Sequence, residues 1–187
     1  MVQTRVQSLT LDAFLKLPET QPASEFINNQ LVQKPMPQGE HSLLQVALCK
    51  AIDGVAESQR IAKAFSELRC VFGGAVVVPD VSVFRWQRIP RKASGRIANR
   101  FETYPDWAIE ILSPAQAQTK PLEKLLHCIE HGTELGWLLD PEADSVLTIS
   151  SESRIKLHRN QEIVPVLSDL ELALSAQDIF DWLVLPQ

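Results

Sequence analysis

A chain of 187 residues, 45% hydrophobic and 22% charged, is long enough to bury a core as a single domain and has the balance of an ordinary globular protein. Its formal charge of −5 excludes a general polycation, and no apolar run approaches the length of a membrane span. Three cysteines at scattered positions, Cys49, Cys70 and Cys128, lack zinc-site spacing and fit buried thiols in a reducing cytoplasm, and the amino terminus lacks the long apolar centre of a signal peptide.

In chain order, residues 8–17 predict a short helix capped by Thr10 and stopped by Pro18. Residues 25–34 read as a hairpin turning at Asn28-Asn29, both tolerant of left-handed backbone. Leu43, Leu44, Val46, Ala47, Leu48, Ala51 and Ile52 predict an amphipathic helix that ends at Gly54. Phe65 to Phe72, Gly73-Gly74, and Ala75 to Phe84 predict a second hairpin. Its second strand is very apolar, although Pro79 cannot donate to a ladder; Asp80 is its only acid.

From Arg85 to Arg100 there is no acidic residue. Arg85, Arg88, Arg91, Lys92, Arg96 and Arg100 are six of the 18 basic residues, a local positive field that reads either as a solvated loop or as a phosphate contact, with Trp86 able to stack on a base or sugar. The strand Trp107–Leu112 follows. Alternation puts Glu110 on one face with Ala108 and Leu112, and Ile109 and Ile111 on the other, so both faces are packed around a carboxylate. Such a group is either a satisfied ion pair or a metal ligand whose cation supplies the missing charge. Leu122, Leu125, Leu126 and Ile129 then mark a helix with Pro121 in its first turn and Gly132 past its end. Leu135–Asp140, Ser145–Ser150 and Ile155–His158 form a meander, and a capped helix closes the chain.

These elements predict a mixed α/β (α+β) sheet flanked by helices. If the strands of Asp80 and Glu110 are neighbours, about 4.8 Å apart, two carboxylates on one face can share a divalent cation through hard oxygen ligands. Asp106 lies roughly 13 Å along the strand from Glu110, too far to share that ion, and reads as a turn residue.

Pro79-Asp80-Val81, Glu110-Ile111-Leu112-Ser113-Pro114, the helix with Lys124, and Gly136-Trp137-Leu138-Leu139-Asp140-Pro141 together resemble the Uma-type putative restriction endonuclease family, as do Glu25–Leu31 and His41. The resemblance implies the PD-(D/E)XK nuclease fold, a restriction-endonuclease-like core, Mg²⁺ (or Mn²⁺) as cofactor and DNA as substrate. It matches Asp80 and Glu110 to the two metal-binding acids and Glu25 to a third ligand or outer partner. The lysine expected two residues after Glu110 is missing, Leu112 standing there, and the following helix offers Lys124, with Lys120 one turn earlier. Against Lys124, the helical wheel sets it about 150° from the centre of the apolar stripe. His127 and His131 share a helix face without a third ligand and read as capping or surface residues; His41 has no assigned role.

Three classes remain open on the sequence: a metal-dependent endonuclease, a catalytically silent nucleic-acid-binding module, and a partner-binding protein. Cutting both strands of a duplex would favour a two-fold homodimer.

Overall fold

The computed structural model describes residues 9–185. The described residues fold into two sheets and four α-helices. Helix α1 (Leu11–Phe14) is capped by Thr10, whose side chain accepts from the Ala13 N–H. Strands β1 (Ser24–Ile27) and β2 (Gln30–Gln33) form a tight hairpin, with Asn28 and Asn29 both at positive φ as a two-residue turn of this hand requires. Helix α2 (Gly39–Ala56) runs through Gly54 to Ala56.

The second predicted hairpin is where structure and sequence part. Residues 65–72 and 75–84 are not two strands but four: β3 (Ala62–Ser66), β4 (Cys70–Phe72), β5 (Ala75–Val77) and β6 (Val81–Arg85). The inner pair, β4–β5, joins β1 and β2 in a four-stranded sheet of order β2-β1-β5-β4, closed by Gly73 and Gly74 at positive φ. The outer pair, β3–β6, forms the end of the large sheet. Val78-Pro79-Asp80 carries the chain across. Pro79 has no N–H to give a ladder, so the break falls beside it.

The large sheet has the order β10-β9-β8-β7-β6-β3, with β7 (Trp107–Ile111), β8 (Leu135–Asp140), β9 (Ser145–Ser150) and β10 (Ile155–Arg159). Strands β7 and β8 are parallel and are joined through α3 (Thr119–Glu130); the other pairings are antiparallel. Helix α4 (Ala176–Asp181) begins with a capping box between Ser175 and Asp178.

Alternation along the strands divides the core in two. Val81, Val83, Ile109, Ile111 and Trp137 pack with Leu44, Leu48 and Ile52 of α2 and with α4. On the opposite face Phe84, Ala108, Leu112 and Leu138 pack with Leu125, Cys128 and Ile129 of α3 and with Cys70, Ala75 and Val77 of the small sheet. The small sheet and α3 thus cover the same face, and Glu110 points into the seam where they meet.

Candidate metal and nuclease site

Strands β6 and β7 pair antiparallel with Val81 opposite Ile109. One step further along the same register, Asp80 falls opposite Glu110. Asp80 is 1% exposed and Glu110 3%. The sheet switch at 78–80 leaves backbone groups without ladder partners, which buried chains do not tolerate. Side chains take up several of them, and the Glu67 N–H also donates to the Asp80 carbonyl at 3.2 Å. The Val78 N–H donates to Glu25 Oε1 at 2.6 Å, and its carbonyl accepts from Lys34 Nζ at 2.8 Å. The Asp80 carbonyl accepts from Gln45 Nε2 at 2.7 Å, and Asp80 Oδ2 accepts the Ile111 N–H at 2.7 Å.

The remaining charge atoms meet two ammonium groups. Lys34 Nζ lies 2.6 Å from Asp80 Oδ1 and 3.0 Å from Glu67 Oε1; Lys124 Nζ lies 2.8 Å from both Glu110 Oε2 and Glu25 Oε1. His41 Nε2, from the first turn of α2, is 3.3 Å from Asp80 Oδ1. Four carboxylates therefore face two ammonium groups, leaving two formal negative charges. Glu110 Oε1 is buried without a hydrogen-bond partner.

Titration directions follow from this geometry. Burial raises the Glu110 carboxyl above the ordinary range, and the Asp80 charge adds to it against the pull of Lys124. Burial works the same way on Asp80, but Lys34 and His41 overcome it and hold Asp80 below the usual carboxylate range. Burial would lower both lysines; Asp80 reverses this for Lys34, and Glu110 with Glu25 reverse it for Lys124, so both stay charged.

A buried, unpartnered carboxylate oxygen beside a second buried acid is a donor set that fits a divalent cation, whose charge would keep Glu110 ionised. Among the described residues, His41, Glu67 and Asp80 are the group of three whose potential ligand atoms lie within 4.8 Å of one another. Glu110 is not in that group.

Of the two candidate lysines, Lys124 is 4% exposed and in contact with the acids, whereas Lys120 is a surface residue paired with Glu123 at 3.0 Å. The helical-wheel objection to Lys124 is corrected. The buried face of α3 is Pro121, Lys124, Leu125, Cys128 and Ile129, rotated from the Leu122–Ile129 stripe because the small sheet covers a flank that a single-sheet picture leaves in solvent.

The basic segment is also divided. Arg85 is spent on a bidentate pair with Glu134 and on Asp169, and Arg88 on Asp106 at 2.6 Å, Thr103 and the Tyr104 carbonyl. Arg91, Lys92, Arg96 and Arg100 are exposed; Arg91 lies over the half-buried Trp86 ring at 5.4 Å. Asp106 anchors the base of this loop, accepting from the Arg85 N–H as well. His127 contacts the Phe72 carbonyl and His131 the His127 carbonyl.

Lys34, Glu67 and Gln45 were missed in the sequence. Lys34 carried one signal, its position at the close of the same hairpin that presents Glu25.

A mixed sheet flanked by helices, with acids and a lysine gathered where two strands end, defines a nuclease-like fold of the restriction-endonuclease type. The chain belongs to the Uma2 family, described as putative restriction endonuclease, whose model matches residues 11–179. It is similar to a crystal structure of a putative nuclease belonging to DUF820 from Anabaena variabilis ATCC 29413, with 52% identity and a TM-score of 0.91 over 94% of this chain and 99% of that one. No curated protein matches the chain.

Proposed function

We propose that the protein is a divalent-metal-dependent endodeoxyribonuclease that hydrolyses phosphodiester bonds at Asp80 and Glu110. The observation that carries this reading is Glu110 Oε1, buried and unpartnered beside a second buried acid. Leaving such an oxygen bare costs several kcal/mol, and a cation removes the cost. A bound Mg²⁺ or Mn²⁺ would polarise a phosphoryl oxygen and lower the pKa of an attacking water.

The chain's own groups do the rest. Asp80 and Glu110 hold the ion. Lys124, charged and 2.8 Å from Glu110, would stabilise negative charge developing on the phosphoryl oxygens or orient the water. Glu25 keeps that ammonium in position from the other side. The exposed cations of the loop, with Arg100 lining the same cleft as the acids, supply phosphate contacts. A homodimer would set two such sites on opposite strands of a duplex, while one copy suffices to cut one strand. The unpaired cysteines support a reducing, cytoplasmic location. Among the described residues no helix is long and apolar enough to cross a membrane.

The test is nicking of supercoiled plasmid in Mg²⁺ or Mn²⁺. Cleavage by the wild type, abolished by EDTA and in folded Asp80→Asn and Glu110→Gln proteins, is the expected result. A second reading has its own observation: both acids already carry lysine partners, as a catalytically silent binding module would have them. DNA binding without cleavage at any metal concentration would select it.

A further inference from the structure

The two oxygens of Asp80 have different neighbours. Oδ2 accepts the Ile111 N–H, whereas Oδ1 meets Lys34 Nζ at 2.6 Å and His41 Nε2 at 3.3 Å. Lys34 follows β2 directly, and its side chain is only 8% exposed. An ammonium group carries three N–H donors and no acceptor. Three oxygens receive them here: Glu67 Oε1 at 3.0 Å, the Val78 carbonyl at 2.8 Å and Asp80 Oδ1 at 2.6 Å.

Two carboxylates and a backbone carbonyl are also the donors that a hard divalent cation takes. His41 adds an imidazole nitrogen, and His41, Glu67 and Asp80 each offer a ligand atom within 4.8 Å of the others. The Lys34 ammonium already lies between two members of that group. Its surroundings are held from elsewhere in the fold. Gln45 of α2 donates to the Asp80 carbonyl at 2.7 Å and reaches Glu67 Oε1 at 3.3 Å, and the Glu67 N–H donates to the same carbonyl at 3.2 Å.

The two buried lysines leave different things behind. Lys124 bonds Glu110 Oε2 and Glu25 Oε1, and Glu110 Oε1 stays bare. Lys34 leaves no buried oxygen of Asp80 without a partner. The Glu110 side is therefore open to a cation, and the Lys34 side is already filled by one. Two-metal nucleases place their ions about 3.5–4 Å apart, as a clamp on the attacking and leaving oxygens. A second ion beside Asp80 would need Glu67 and His41, and Lys34 stands in its way.

We propose, on the metal-site reading above, that Lys34 is a tethered cation in the place of a second metal ion. The site takes one divalent ion, at Asp80 and Glu110, and His41, Glu67 and Asp80 bind another only when the ammonium is removed. The test counts tightly bound Mn²⁺ on the full chain by equilibrium dialysis, with folding of each protein checked by circular dichroism. The wild type is expected to bind one ion, Lys34→Met two, and Lys34→Met/Glu67→Gln one again. Glu67→Gln alone, at a side chain 40% exposed, is expected to keep the single ion.

Two ions on the wild type overturn the proposal without any variant. Loss of the ion in Glu67→Gln overturns it as well, because the ion would then lie where Lys34 is. A folded Lys34→Met that binds no more Mn²⁺ than the wild type also overturns it. The wild-type count separates this outcome from the metal reading itself. No ion on the wild type but one on Lys34→Met keeps the role of Lys34 and discards the ion at Glu110. One ion on both proteins keeps the ion at Glu110 and discards the role of Lys34.

Discussion

The carboxylate of Asp80 accepts the backbone N–H of Ile111 at 2.7 Å, at the point where the chain crosses from the small sheet to the large one. The same side chain proposed to hold a metal therefore also replaces a ladder bond. Two substitutions separate the roles. Asp80→Asn retains one oxygen acceptor but turns its amide N–H toward Lys34 or toward the Ile111 N–H, and is expected to lose stability, though less than Asp80→Ala. Asp80→Ala leaves the Ile111 N–H unsatisfied and Lys34 without its closest partner, and is expected to cost about 3–5 kcal/mol in urea unfolding. Both should be inactive. Equal stability of the two would show that the Ile111 bond contributes nothing.

Lys124 and Lys120 lie one turn apart on α3 and differ in everything else. Removing the Lys124 ammonium strands two carboxylates in the interior, so Lys124→Met is expected to destabilise by about 3–5 kcal/mol, with much of it recovered in the Glu25→Gln/Lys124→Met double variant. Lys120→Ala, at a solvent-screened pair, should stay within about 0.5 kcal/mol of the wild type. Among proteins that remain folded, loss of cleavage should follow Lys124 and not Lys120. The reverse order would place the catalytic lysine on the surface.

That contrast also marks what the sequence could reveal. Adjacency of the Asp80 and Glu110 strands was only a condition there, which the pairing of β6 with β7 meets. The faces of Ala108, Ile109, Ile111 and Leu112 were legible, because alternation along an apolar run assigns them. The burial of Lys124 was not, because its environment is set by a second sheet packed beside α3. Residues 75–84 look like one strand since Val76, Val77, Val81 and Val83 are equally apolar in either sheet; only Pro79 hinted at the crossing. Lys34 and Glu67 converge on Asp80 because of that crossing, so no local pattern could have joined them. Arg85 and Arg88 counted as free cations because their partners Asp106, Glu134 and Asp169 lie far along the chain.

The division of the basic segment predicts two kinds of arginine. Arg100→Gln should leave stability unchanged and reduce the salt slope of DNA binding by roughly 0.7 to 0.9, the contribution of one phosphate contact. Arg85→Gln should instead lower stability, since it strips Glu134 and Asp169 of their partner and weakens the anchor of the loop. Oligonucleotide titrations at several salt concentrations, run beside thermal melts, check both. A slope altered by Arg85→Gln as much as by Arg100→Gln would return Arg85 to the binding surface.

The unpartnered oxygen of Glu110 predicts a stability signal that does not depend on turnover. A ligand that binds only the folded chain stabilises it by RT ln(1 + [L]/Kd), about 2.7 kcal/mol at a hundredfold excess over Kd. For a chain of this size that corresponds to a rise in Tm of roughly 5–10 °C. Mn²⁺ at saturation is expected to give such a rise, and EDTA to reverse it. Glu110→Gln and Asp80→Asn should lose it, because each removes a charged oxygen from the ion's surroundings, while Lys120→Ala should keep it. Glu110→Gln should in addition be at least as stable as the wild type without metal, since a neutral amide is cheaper to bury than a carboxylate whose second oxygen has no partner. A wild-type melt that Mn²⁺ leaves unmoved, together with a Glu110→Gln protein less stable than the wild type, would mean that Lys124 alone satisfies Glu110 and that these acids hold the seam between the sheets rather than an ion.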